Sequence, residues 1–243
     1  MTAVILTAAV TPSVTDHLVV ADPDVRRRQY RASIERWAEA AQDHNFSLAV
    51  VETSGASERS LTEGLRARPS ILFRSYTPSD DEVRRGKGAI EMAALLSVVA
   101  DNPWDPEEAV YKCTGRLFVS NSARVVAPLP DSSLRARMTL NRSWIDTRLL
   151  GASPSVWRDV IGPAGREVDD NDERPIERQL GIHTSPRLAA GTLTWSRFPE
   201  RPFFEGVSGT SGQAYSGVRS RLSNVVLSRL EDQLVRLAAR KQA

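Results

Sequence analysis

Three short segments hold residue types able to handle a phosphate. Gly86-Lys87-Gly88 stands just before an apolar run. Backbone N–H groups at a helix start, together with a lysine, can cradle an anion there. Lys112-Cys113-Thr114-Gly115-Arg116 puts two permanent cations and a glycine at a strand-to-turn step, where they can neutralise a departing diphosphate. Asp146-Thr147-Arg148 combines an acid suited to a metal or a sugar hydroxyl with an arginine suited to phosphate. The first two have plainer alternatives: a loop with a solvated lysine, and two surface cations around a turn.

Proton transfer needs a positioned acid or base. Glu177, on a later helical pattern, is the better placed candidate, ahead of the acidic run Asp169-Asp170-Asn171-Asp172-Glu173, which also reads as a solvated turn. Glu91, one turn into the helix after Gly88, can reach the Lys87 site or serve as a first-turn glutamate favoured by the helix dipole. Asn121 suits a sugar hydroxyl or a turn. Ser208-Gly209-Thr210-Ser211-Gly212 reads as a lid that orders over a ligand or as a mobile loop, because its backbone entropy is high. His183 reads as structural, and Cys113 as a buried thiol.

Lysine is scarce, which sharpens two of these positions. Of 32 basic residues only Lys87, Lys112 and Lys241 are lysine. The arginine excess fits a GC-rich coding bias of the actinobacterial kind.

The elements that must position these groups follow from pattern. Ala3 to Val10 is a continuous apolar run before Thr11-Pro12, as in a strand buried on both faces of a parallel sheet. Asp22-Pro23 supplies an N-cap and a first-turn proline for an amphipathic helix through Ala41. Phe46 to Val51 and Ser70 to Phe73 read as further strands, with a weak helix at 59–66 between them. Ala89 to Val99 is an apolar helix, and Val110 to Cys113 is a short strand. Trp144 to Leu150 reads as a strand ending near a site. Helices are expected to open at Ser153-Pro154 and Pro175, and a last one over 217–243. Strand, helix, strand repeats predict an α/β fold with a mostly parallel central sheet flanked by helices. A single domain is expected over 1–243, with a ligand-binding half at 1–125 and a catalytic half at 126–216.

Composition narrows the classes. The chain has 243 residues, 41 % of them hydrophobic, enough for a real core. A net charge of +2 and 6 % aromatics argue against nucleic acid as a partner. No apolar run approaches a membrane span, and the apolar N-terminus lacks a basic leader. One cysteine and three separated histidines fit a reducing, cytoplasmic setting.

The order of motifs resembles a known family. ILTAAVTP, Asp22-Pro23 with Arg26 and Tyr30, and Glu52-Thr53-Ser54-Gly55 are followed by Gly86-Lys87-Gly88-Ala89-Ile90-Glu91. Then come Lys112 to Asn121, Asp146-Thr147-Arg148, Glu177, and Gly206 to Tyr215. Over roughly residues 3 to 215 this is similar to bacterial GT-A-like glycosyltransferases linked to capsular polysaccharide or lipopolysaccharide assembly. Thr53 replaces the family's usual asparagine, and Leu117 its usual aromatic. The resemblance implies a sugar transferase of the hexosyl or N-acetylhexosaminyl class, with a nucleoside diphosphate sugar donor, UDP-linked first, and a glycan or small-molecule acceptor. Thr7, Ala8 and Glu52 would meet the nucleoside. Lys87, Gly88, Lys112, Thr114, Gly115 and Arg116 would meet the diphosphate. Glu91, Asn121, Arg148, Ser208, Gly209 and Thr210 would complete the binding surface. Asp146 would hold the donor sugar or a bridging Mn2+ or Mg2+, and Glu177 or Asp170 would take the acceptor proton. A nucleoside-antibiotic pathway of the tunicamycin kind and a non-catalytic sugar-nucleotide-binding module are the alternatives.

Overall fold

The first strand explains the architecture. In the computed structural model, which describes residues 2–16, 18–67, 70–101, 107–209 and 212–215, all of β1 (Thr2–Ala8) is buried. An apolar segment without alternation must be covered on both faces, so β1 lies inside the sheet. Helix α1 (Pro23–His44) follows, its first amides bonded to the Asp22 carboxylate, and leads to β2 (Ser47–Glu52). Next come α2 (Glu58–Thr62), β3 (Ile71–Ser75), α3 (Asp80–Arg85), α4 (Lys87–Asp101) and β4 (Ala109–Thr114). The chain continues through β5 (Leu117–Val119), α5 (Ser122–Val125), β6 (Ser133–Met138) and β7 (Ile145–Ala152). A helical stretch is built from α6 (Pro154–Val156), a π-turn (Trp157–Ile161) and α7 (Gly162–Arg166). The last described elements are α8 (Ile176–Ala189), β8 (Thr194–Ser196), β9 (Phe204–Val207) and β10 (Ala214–Tyr215). The helix expected over 217–243 lies outside the described residues.

Seven strands form one sheet in the order β3-β2-β1-β4-β7-β6-β8. The first four run parallel, β7 is antiparallel to β4 and β6, and β8 is parallel to β6. This is the mixed α/β domain with a mostly parallel sheet that the pattern predicts. One face of the sheet packs under α1, where Trp37, Ile34 and Tyr30 meet Leu48, Val50 and Tyr111. The other packs under α4, the π-turn and α8, around Met92, Leu95, Trp157 and Ile161. The antiparallel run of β7 has a consequence for the site. Its first residues lie beyond the carboxyl end of β4, because Cys113 pairs with Leu149. Among the described residues no helix is long and apolar enough to cross a membrane.

Two buried donors on α1 fix the turn after β4. Ser33 Oγ and Trp37 Nε1 both donate to the Leu117 carbonyl, at 2.9 and 2.8 Å. The Leu117 side chain is buried as well. Gly115 is required by close approach rather than by a ligand. Its N–H donates to the Thr7 carbonyl at 3.0 Å, and a Cβ there would fall 2.3 Å from that oxygen. Both groups are backbone and cannot swing away. Gly115→Ala is therefore expected to cost about 3 kcal/mol, the upper range for overpacking. A chemical melt giving a midpoint unchanged from the parent would show that the two strand ends can part freely.

Candidate active site

A cleft of about 560 Å³ opens at the carboxyl ends of β1 and β4, the place where open α/β sheets bind ligands. Thr7 and Ala8 line it from β1, and Lys112 and Thr114 from β4. Thr147 and Arg148 reach it from the start of β7, Glu177 from the first turn of α8, and Ser208 and Gly209 from the turn after β9. Five cationic side chains line the cleft (Arg26, Lys87, Lys112, Arg116 and Arg148) against three acidic ones, Glu91, Asp170 and Glu177.

Its centre is a hydrogen-bonded chain through a buried lysine. Lys112 is 1 % exposed, and its ammonium lies 2.8 Å from Glu91 Oε1. The same nitrogen donates to the Thr147 carbonyl at 2.6 Å and to Thr114 Oγ1 at 3.3 Å. An ammonium has three donors, and three acceptors surround this one. Lys112 therefore supports the wall of the cleft, and it can act on a diphosphate only through its field. Thr7 Oγ1 donates to the same Glu91 oxygen at 2.8 Å, and Thr147 Oγ1 donates to Glu177 Oε1 at 2.7 Å.

The two glutamates are driven apart in acidity. Burial alone would raise the Glu91 carboxyl, but the charge and hydrogen bond of Lys112, then the Thr7 hydroxyl, hold it below the ordinary carboxylate range. Burial raises Glu177, and the Thr147 hydroxyl, its own backbone amide and the more distant Lys112 only partly offset that. The two carboxyls of the cleft are thus shifted in opposite directions, Glu91 down and Glu177 up.

The start of α4 is not free for phosphate. Asp170 Oδ2 accepts the Gly88 N–H at 2.8 Å, so a carboxylate of the chain itself fills the expected anion cradle. This explains both glycines: a Cβ at Gly86 or Gly88 would stand 2.8 Å from Asp170 atoms. Asp170 lines the cleft as a cap on α4, with one of its two carboxylate oxygens on that amide.

Glu52 is fully buried and is not among the residues lining the cleft. Its carboxylate accepts from the amides of Val10, Ser54 and Ala56 and from the Ser54 hydroxyl. It locks the loops after β1 and β2, so it positions the cleft wall instead of meeting a nucleoside. Asn121 also holds chain to chain. Its amide donates to the Arg201 carbonyl at 3.0 Å, and its oxygen accepts the Phe203 N–H at 2.9 Å. Thr210 lies outside the described residues. Of the segment expected to be a lid, the described residues Ser208, Gly209 and Gly212 lie between β9 and β10, with the Gly209 carbonyl accepting from Val19 N in the loop after β1.

The divalent ion implied at Asp146 does not suit the groups present. Arg148 grips both Asp146 oxygens, through Nε at 2.9 Å and Nη2 at 2.5 Å, and Arg137 adds a contact at 3.3 Å. Burial would raise this carboxyl, but Arg148 and Arg137 hold it below its usual range. Asp146 is absent from the cleft lining, and among the described residues no three His, Cys, Asp or Glu side chains group as metal ligands. Arg148 in turn stacks on Phe204, 4.7 Å from the ring centroid, and on Tyr215 at 5.4 Å. The pair braces the hairpin against β7.

Sequence reasoning assigned no site role to Arg26, Tyr30, Thr147 or Trp144, all of which line the cleft. A signal existed for the first two. An arginine four residues before a tyrosine, on the apolar side of α1, has no reason to be buried unless something polar faces it.

No family model matches the chain, and no curated protein matches it. Solved structures show partial likeness. One is the galactosyltransferase LgtC in complex with donor and acceptor sugar analogues, with TM-score 0.48 and 14 % identity over 80 % of this chain and 73 % of that one. Another is a protein of Desulfovibrio desulfuricans G20 described as a nucleotide-diphospho-sugar transferase, with TM-score 0.45 and 12 % identity over 81 % of this chain and 80 % of that one. Likeness at this level leaves the activity to be argued from the site.

Proposed function

We propose that this chain is a glycosyltransferase of the GT-A-like kind, moving a sugar from a nucleoside diphosphate sugar, UDP-linked by preference, to an acceptor hydroxyl. One observation carries the reading. A carboxyl raised above its usual range, Glu177, faces a predominantly cationic cleft at the carboxyl ends of a parallel sheet. Glycosyl transfer needs both halves of that arrangement: positive charge where the diphosphate departs, and a base where the acceptor loses its proton. Glu177 takes the proton of the attacking hydroxyl. Glu91 stays ionised and keeps Lys112 in place. Trp144, 44 % exposed and lining the same cleft as Glu177, offers an apolar face for the acceptor. Glycans and small hydroxylated metabolites are the acceptor classes that fit.

A thermal-shift screen over UDP-, GDP-, CMP- and dTDP-sugars tests the donor. Mass-action stabilisation at a hundred times the dissociation constant is about 2.7 kcal/mol, well within reach of such a screen. UDP-sugars are expected to raise the melting temperature most and to be hydrolysed slowly without acceptor. Stabilisation with no hydrolysis and no transfer would indicate a binding module. No shift with any sugar nucleotide at millimolar concentration would sink the donor assignment.

A further inference from the structure

We propose that Thr147 is a positioning residue, whose hydroxyl draws the Glu177 carboxyl away from its own helix end and holds it in the cleft. What Glu177 does there rests on the transferase reading above, while the clamp rests on the following geometry.

Helix α8 starts without a side-chain cap. Pro175 stands at the N-cap position, and its carbonyl accepts the amides of Arg178 and Gln179. The unpaired amides of a helix start attract any anion within reach. Glu177 is the acid in that first turn, and its carboxyl already accepts its own backbone amide. A glutamate held by that pull alone caps its own helix and serves nothing else.

Thr147 supplies the opposing pull. It lies near the start of β7, is 7 % exposed, and donates its Oγ1 proton to Glu177 Oε1 at 2.7 Å. A hydroxyl has one proton to give, and this one is spent on the acid. Both residues line the cleft, so the carboxyl is held there between its own helix and β7. Thr147 is itself fixed at three points. Its carbonyl accepts the Lys112 ammonium at 2.6 Å, and its neighbours Asp146 and Arg148 are paired with each other. A β-branched side chain adds stiffness at χ1, which keeps the hydroxyl aimed. The backbone of this residue thus belongs to the cleft wall and its side chain to the acid. Valine in its place keeps the shape and the carbonyl and loses only the donor.

The same bond favours the ionised form of Glu177 and offsets part of what burial does to it. Lys112 from β4 acts in the same sense as Thr147, and Glu91 from α4 acts against it. Lys87, Arg148 and Asp170 share the cleft, and no residue lining it comes from α7 or the π-turn. A change confined to the Thr147 side chain leaves all of these charges in place, so loss of its hydroxyl moves the Glu177 titration in one direction, upward.

Two readouts on the full chain test the clamp. The first is the Glu177 carboxyl titration followed by NMR, its signal assigned by disappearance in Glu177→Gln. Thr147→Val is expected to raise that pKa by about one unit, the worth of a hydrogen bond to a charged group, and Thr147→Ser to stay near the parent. The second is the pH profile of UDP-sugar hydrolysis or transfer. The acid limb of the valine variant should move up by the same amount, with kcat at neutral pH down roughly ten- to a hundredfold, donor KM little changed, and most of the loss restored by serine. Thr147→Ala serves if the valine variant does not fold. A parent-like titration in a variant without the hydroxyl overturns the clamp. So does a fall in kcat with no shift in either readout and no rescue by serine. If the parent neither hydrolyses nor transfers any sugar nucleotide, the transferase reading fails, and the NMR titration still decides whether Thr147 holds Glu177.

Discussion

Glu177→Gln is expected to lower turnover by about 10²- to 10⁴-fold, the usual contribution of a positioned base, while making the protein more stable at neutral pH. The two effects share one cause. Burial lifts the Glu177 carboxyl above the ordinary glutamate range, so the folded state disfavours its anion. A group with a raised folded pKa contributes stability below its unfolded value, and that contribution is lost as pH rises through the folded value. At neutral pH the wild-type chain therefore carries an unfavourable buried carboxylate, and glutamine removes it. Glutamine can still accept the Thr147 hydroxyl, so the loop geometry survives. Melting temperatures of parent and variant should converge near pH 4 and separate toward pH 8, with the variant higher. The pH-rate profile of the parent should fall on its acid limb at a pKa above that of an ordinary glutamate. A variant with parent-like turnover would move the base elsewhere; one less stable at neutral pH would contradict the assigned burial penalty.

The first half of the fold was legible because its signals are local. The apolar run at the N-terminus, Asp22-Pro23 and the run after Gly88 each specify an element without help from the rest of the chain, and β1, α1 and α4 stand where those patterns put them. In the second half β7 stands where the pattern of Trp144 to Leu150 puts a strand, but the other strands lie in sequence with no such signal. β6 reads Ser-Leu-Arg-Ala-Arg-Met, which resembles a surface segment. Arg135 is nonetheless buried, because its guanidinium reaches the Tyr111 hydroxyl and Ser196 Oγ across the sheet. Short β8, β9 and β10 depend on partners distant in sequence, which no local period reveals. The site shows the same division. The residue types that could meet a phosphate were visible in Gly86-Lys87-Gly88 and Lys112 to Arg116. Which of them are free was not, since that depends on Asp170 and Glu91 arriving from elsewhere. The Gly88 amide and the Lys112 ammonium are taken by carboxylates of the chain itself, while Lys87 and Arg116 line the cleft.

Lys112→Met should destabilise the chain by about 3–5 kcal/mol, the range for breaking a buried ion pair by removing one partner. The ammonium, 1 % exposed, ties together β4, the start of β7 and α4 through Thr147, Thr114 and Glu91. Methionine keeps the length and apolar stem but strands the Glu91 carboxylate beside it. Glu91 is 28 % exposed on the cleft side, so water recovers part of its charge, and Glu91→Gln should cost less, roughly 2–3 kcal/mol. The double variant Lys112→Met/Glu91→Gln should then lose less than the two singles together, because neither charge remains to be left unpaired. Denaturant melts of the four proteins measure this coupling. Acid provides an independent check. Glu91 has a depressed folded pKa, so its contribution is present above the unfolded value and fades as pH falls through the folded one. The gap between parent and Glu91→Gln should therefore close on acidification, opposite in direction to the Glu177 case. Simple additivity of the two singles, or a parent-like melt for Lys112→Met, would mean that the pair is not what holds the cleft wall, and Lys112 would return to the set of groups free to meet a ligand.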